Sequence, residues 1–181
     1  MQLILPVRTA RLILRDFEPN DFDAIHGYAS DPEVTRYMFY GPRTVAETRG
    51  YLERMLASQR EHPRLVWELG VLDVSAGRVV GACDLTLENP DEADLGFILS
   101  REVWGLGYAT EVARAMVRAG FEQLGLSQIF STCDVENHAS ARVLAKAGLR
   151  RESTLEKHKY AKDQWWTSFL YSVRRDQWSE E

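Results

Sequence analysis

The stretch 101-REVWGLGYATEVARAMVRAGFEQLGL-126 decides the fold. From Ala109 onward the apolar residues fall at Val112, Ala113, Met116, Val117, Phe121 and Leu124. That is the spacing of a helix with one face on a core. Glu111, Arg114, Arg118 and Glu122 occupy its other face, and Gly125 supplies a stop. The helix therefore starts at the turn 105–108, where no Ser, Asp or Pro stands to begin it. Its first amides have no intrahelical partner. Two glycines at such a place are costly unless the backbone must come close to something. Aligned N–H groups and the positive end of the helix dipole make an anion site, so Gly105 and Gly107 are best explained by a phosphate ligand.

Three ligand classes use turns of this kind. A nucleotide-binding P-loop needs Gly-Lys-Ser/Thr after its second glycine, whereas Tyr108 and Ala109 follow Gly107. A dinucleotide fold is a closer rival, because Asp134 ends the next strand as a ribose-binding acid would. The third glycine or alanine of that fingerprint is missing, however, and too little chain follows Asp134 for the rest of a doubly wound sheet. The third class is coenzyme A, with its pyrophosphate on the turn.

Around this stretch the chain reads as one domain of 181 residues, 45% hydrophobic, 27% charged and with net charge −5. That acidity argues against a nucleic-acid partner, whose phosphates need clustered Lys and Arg. No apolar run approaches the ~18 residues of a membrane span, and the start carries no leader, so a cytoplasmic location is expected. Cys83 and Cys133 lie in apolar strand-like stretches and the four histidines are scattered, so no metal is expected.

Strands are predicted at 11–17, 65–73, 78–87, 92–100, 128–135, 149–160 and 164–173. Helices are predicted at 19–30, at 44–61 behind a Thr44–Glu47 capping box, after Gly107, and at 137–148. Only the helix after Gly107 joins neighbouring strands by a crossover. The expectation is an α/β (α+β) domain in three layers. Its central sheet has about seven strands, mostly antiparallel, with helices flanking it and one parallel pair within it.

These residues resemble a known family. Trp104-Gly105-Leu106-Gly107-Tyr108-Ala109, followed by Thr110-Glu111, is similar to the Arg/Gln-x-x-Gly-x-Gly/Ala signature of the GNAT superfamily, the acetyl-CoA-dependent N-acetyltransferases. Trp in the first place and Thr9-Ala10-Arg11-Leu12-Ile13-Leu14-Arg15 near the start resemble its RimJ/RimL branch, named for enzymes that acetylate ribosomal-protein N-termini. Asn137, Ser140, Lys146 and Gly148 match the branch's later Asn-x-x-Ser and Lys-x-Gly. The likeness covers roughly residues 8 to 178. Leu106 replaces a frequent basic residue, which leaves the backbone cradle intact. Thr167 and Ser168 stand where many relatives carry Asp.

The resemblance implies a GNAT fold in which strands 94–100 and 128–135 are parallel neighbours that splay apart. Backbone at Phe97, Ile98 and Leu99 would then meet the pantetheine amides of acetyl-CoA. The pyrophosphate would lie on Trp104, Gly105, Leu106, Gly107, Tyr108, Ala109 and Thr110, with Asn137 on the pantetheine arm and Lys146 in the cofactor set. It implies direct acetyl transfer to an amine, with Asp94 as general base and Ser140 protonating the thiolate. Asn137 also suits a plain helix cap, Ser140 a packing serine, and Asp94 a solvated strand end. The expected acceptor is a peptide or protein N-terminal α-amine. A small-molecule amine and a non-catalytic acetyl-CoA binder are the alternatives, and the assembly is expected to be a monomer or homodimer.

Overall fold

The computed structural model describes residues 2–179, and its centre is an eight-stranded sheet. The strands are β1 (Val7–Arg8), β2 (Leu12–Arg15), β3 (Val66–Asp73), β4 (Arg78–Asn89), β5 (Glu92–Leu99), β6 (Gln128–Asp134), β7 (Arg150–Ala161) and β8 (Gln164–Arg174). Across the sheet they run β1-β2-β3-β4-β5-β6-β8-β7. β5 and β6 are parallel and the other neighbours antiparallel. The expected α+β architecture stands, with one strand more than the seven read from sequence. The extra strand is β1, whose two residues are too few to show alternation.

Helices α1 (Phe22–Ala29) and α2 (Val45–Ser58) cover one face, and α3 (Tyr108–Glu122) and α4 (His138–Lys146) lie on the other. The expected helix at 19–30 opens instead with a 3₁₀ turn at Pro19–Asp21, where Arg15 holds Asp21 through two bonds of 2.8 Å. The Thr44–Glu47 capping box forms as read: Glu47 N–H donates to Thr44 Oγ1 at 3.3 Å and Thr44 N–H to Glu47 Oε2 at 2.7 Å.

Strand alternation sorts the core into two clusters. Trp67, Leu69, Cys83, Leu85 and Leu95 point toward the buried stripe of α3, which includes Val112, Met116, Val117 and Phe121. Ala82 and Ile98 point the other way, toward Ile25, Tyr51 and Leu52. Among the described residues no helix is long and apolar enough to cross a membrane.

Close packing of β4 on β5 is fixed at Gly81, which pairs with Leu99. A Cβ there would come within 2.3 Å of the Ile98 carbonyl oxygen and 2.6 Å of a Leu99 methyl. A backbone carbonyl cannot step aside as a side chain can. Gly81→Ala is therefore expected to destabilise the protein by about 1–3 kcal/mol, the usual range for overpacking, read as a lower denaturant midpoint at unchanged slope.

Candidate active site

The glycine turn has the conformation its sequence demands. Gly105 and Gly107 sit at φ +79° and +82°, the left-handed region that favours glycine. Gly107 occupies the N-cap position of α3, and no side chain caps the helix there. The turn is fastened from both sides. The Trp104 indole donates to the Leu99 carbonyl at 2.9 Å, tying it to the end of β5. From the other side Arg11 donates to the Leu106 carbonyl at 2.8 Å and to Glu111 Oε2 at 2.7 Å, with its guanidinium 4.5 Å from the centre of the Tyr108 ring. Thr9 and the Arg11 backbone N–H add bonds to the other Glu111 oxygen, at 2.6 and 2.9 Å. Glu111, the acid in the helix's first turn, is thereby spent on this bracket, which holds its carboxyl below the usual range. A cavity of about 800 Å³ lies alongside, lined among others by Arg11, Gly107, Thr110, Arg114, Lys146 and Arg150. Its basic wall suits phosphate oxygens.

Next to the turn the sheet opens. β5 and β6 pair at Glu92–Gln128, Ala93–Ile129 and Asp94–Phe130, and pairing stops there. Ser131 Oγ bridges to the Leu95 carbonyl at 2.7 Å at the apex. Beyond it β5 stays on β4 as far as Leu99, while β6 stays on β8 as far as Asp134. A wedge is left between Gly96–Phe97–Ile98–Leu99 on one side and Thr132–Cys133–Asp134 on the other. The expected splay is present. The Leu99 carbonyl is already taken by Trp104, so it is not open to a ligand amide.

Asn137 is the N-cap of α4, its side-chain oxygen accepting from Ser140 N–H at 3.1 Å. Ser140 is half-buried in the first turn of that helix. Lys146 is exposed at its far end, and its carbonyl receives Arg114 Nε at 2.9 Å. Lys146 thus joins the basic cavity beside the turn. Where relatives carry Asp, Ser168 is buried and bonded to His158 Nδ1 at 3.1 Å.

Asp94 lies on the opposite face of the sheet, the one covered by α1 and α2. Burial, reinforced by the charge of Glu88, pushes its carboxyl up to about 6. Two carboxylates that sequence reasoning missed share this face. Glu68 on β3 stands opposite Asp84 on β4, and Asp94 stands opposite Thr86, two positions along from Asp84. Burial raises Glu68, and Tyr51 donates its hydroxyl to it. Burial, then the charges of Glu68 and Asp94, push Asp84 up to about 7. Their signal was in plain view: each is a charged residue inside an apolar strand, 65-LVWELGVLD-73 and 78-RVVGACDLTL-87. Neither cysteine is an activated nucleophile. Burial raises Cys83 well above its ordinary value and Cys133 to about 11.

Residues 11–150 match the family profile described as the acetyltransferase (GNAT) domain. The chain belongs to the GNAT acetyltransferase family. Its relatives include an uncharacterised N-acetyltransferase of Bacillus subtilis, YnaD, 28% identical over 173 residues, with 96% of this chain and 99% of that protein covered. Two solved structures at 20% identity share the GNAT fold. One is a ribosomal-protein-S5-alanine acetyltransferase from Vibrio fischeri (TM-score 0.83, covering 98% of this chain and 100% of that one). The other is a spermidine N-acetyltransferase from Vibrio cholerae in complex with CoA and spermine (TM-score 0.77, covering 93% and 98%). As a GNAT acyltransferase the chain moves an acyl group to an amine, and GNAT enzymes take that group from acetyl-CoA.

Proposed function

We propose that this protein transfers the acetyl group of acetyl-CoA to the α-amino group of a peptide or protein N-terminus, in the cytoplasm. The observation that carries the reading is the wedge between β5 and β6. It lies between an uncapped helix N-terminus with a basic cavity on one side and a face of three carboxylates on the other. The residues fit the co-substrate. Turn 104–110 offers bare backbone amides to the pyrophosphate, the wall at Arg114 and Lys146 offers cations, and unpaired strand edges near Phe97 and Ile98 offer partners to the pantetheine amides. Asn137 borders the wedge and can cap α4 while its amide group donates outward.

Transfer needs two proton movements. Asp94 draws a proton from the incoming ammonium through water, which its raised carboxyl suits better than an ordinary Asp. The amine nitrogen then bonds to the thioester carbon as the C–S bond breaks. Ser140 passes a proton to the departing sulfur and regains one from the attacking nitrogen. A free thiol has an ordinary pKa of about 8.5, so this last step is undemanding at neutral pH. Ser140→Ala is accordingly expected to cost about 10-fold to about 100-fold in kcat, the low end for general acid catalysis, with acetyl-CoA binding retained. Free-thiol release with a peptide amine checks it. Full turnover in the variant would remove Ser140 from the reaction.

A small polycationic amine is the second reading. The three carboxylates favour it, since they would suit an acceptor with more than one positive charge. Running the same assay across peptides, polyamines and aminoglycosides separates the two.

A further inference from the structure

We infer that Asp84 is the first group to receive the amine's proton, in an ammonium pocket that it forms with Glu68 and the tyrosines Tyr28, Tyr40 and Tyr51. The inference rests on the acetyl-transfer reading above and gives its acceptor side a location.

Position is the first argument. Asp84 stands opposite Gly96, and Gly96 lies just past the apex where β5 and β6 part. A Cβ on Gly96 would fall 2.2 Å from Asp84 Oδ1. The carboxylate therefore lies across bare backbone beside the apex of the wedge. A glycine inside a strand weakens it and commonly marks such a close approach.

Charge is the second. Glu68 is provided for: Tyr51 donates to it, and the charges of Arg43 and Arg54 bear on it. Among the described residues Asp84 has only the Thr86 hydroxyl, at 3.2 Å, and the charges that bear on it are those of Glu68 and Asp94, both acidic. Among the described residues no Lys or Arg pairs with it. A shielded carboxylate among like charges is complemented by a cation brought from outside.

The third argument starts from a hydroxyl. The Tyr28 hydroxyl is fully buried and has no hydrogen-bond partner among the described residues. After burial, the charge of Glu68 is the strongest influence on it, followed by Tyr40 and Arg43. Buried polar groups are nearly always paired, so an orphan beside the carboxylates points to a polar occupant. An ammonium, with three N–H donors, can serve Asp84, Glu68 and a tyrosine oxygen together.

The proton balance closes. An N–H bond of the ammonium breaks and an O–H bond forms on Asp84, and that proton passes through water to Asp94 and on to solvent, so that Asp94 draws it by way of Asp84. The neutral nitrogen bonds to the thioester carbon and the C–S bond breaks. The second proton lost by the nitrogen ends on sulfur.

The groups that set the working pH are Glu68 on β3, Thr86 and Glu88 on β4 and Asp94 on β5. Tyr28 on α1, Tyr51 and Arg54 on α2, and Tyr40 and Arg43 between those helices complete the set. Asp84 must be ionised to act, so kcat/KM for a peptide with a free N-terminus and blocked lysine falls as pH drops through about 7. Asp84→Asn is expected to lower kcat about 100-fold, the entry level for losing a general base, and to abolish that acid limb. Acetyl-CoA affinity by calorimetry stays unchanged. Because folding raises the Asp84 pKa, the wild type loses stability as pH climbs from about 3.9 toward 7. The Asn variant escapes that loss, so it melts above wild type at pH 8, with the gap closing as pH falls toward 4. Gly96→Ala keeps the charge but pushes the carboxylate aside, so it should lower kcat with the charge still present. It decides the matter by the same readings if the Asn variant does not fold. Wild-type kcat with an intact acid limb in Asp84→Asn, while the wild type acetylates the peptide, overturns this inference alone. A wild type that releases no thiol with peptides, polyamines or aminoglycosides overturns it together with the proposed function.

Discussion

Gly107→Val is expected to weaken acetyl-CoA binding by about 100-fold or more, a loss of about 2.7 kcal/mol. Two effects act together. Gly107 sits at φ +82°, where a β-branched residue is a steric outlier, so the turn must change shape. The added methyls also project where a phosphate would meet the amides that begin α3. Space inside the protein is not the obstacle, since a Cβ at Gly107 would meet only Arg11, at 3.6 Å. The helix itself should persist, because Val112, Ala113, Met116 and Val117 are fully buried. Calorimetry with acetyl-CoA, beside a circular dichroism spectrum to confirm folding, reads the outcome. A folded variant that binds as tightly as wild type would show the cradle to lie elsewhere.

The second large effect concerns the acceptor. Two forms of one short peptide are compared, one with a free N-terminus and blocked lysine, the other blocked the opposite way. At pH 7 the free N-terminus is expected to react roughly a few hundred times faster, because an α-amine titrates near 8 and a lysine near 10.4. The acidic face reinforces this preference. Carboxyls raised to about 7 and about 6 at Asp84 and Asp94 lie close to an α-amine in proton affinity and far from a lysine. Thiol release measured at matched peptide concentrations gives the ratio. Activity confined to the free lysine, or to polyamines and aminoglycosides, would defeat the N-terminal reading and leave the GNAT assignment intact.

The glycine turn was legible in the sequence because its devices are local. Glycines at positive φ announce themselves by residue type, and the stripe from Val112 to Leu124 fixes the helix they precede. The capping box at Thr44 and the cap at Asn137 are likewise short-range. The face of three carboxylates was not, because it is assembled by register. Nothing within 65–73 or 78–87 says that Glu68 and Asp84 stand side by side, or that both share a face with Asp94. Only the pairing of three strands does so. The missed strand β1 shows the opposite limit, since its two residues gain their structure entirely from lying against Ile13 and Leu14.

The bracket of Thr9, Arg11 and Glu111 has a consequence for how distant parts of the chain communicate. Its members lie about a hundred positions apart in sequence, yet they hold the same turn. Thermodynamic linkage makes the hold mutual: whatever tightens the turn also slows fraying of the amino-terminal edge strand, and whatever loosens that edge loosens the turn. With acetyl-CoA on that turn, as proposed, a fusion tag or truncation ahead of Thr9 is expected to perturb its affinity. Amide exchange along β1 and β2 would then report occupancy of the proposed cofactor site, which those strands do not line with their own strand residues.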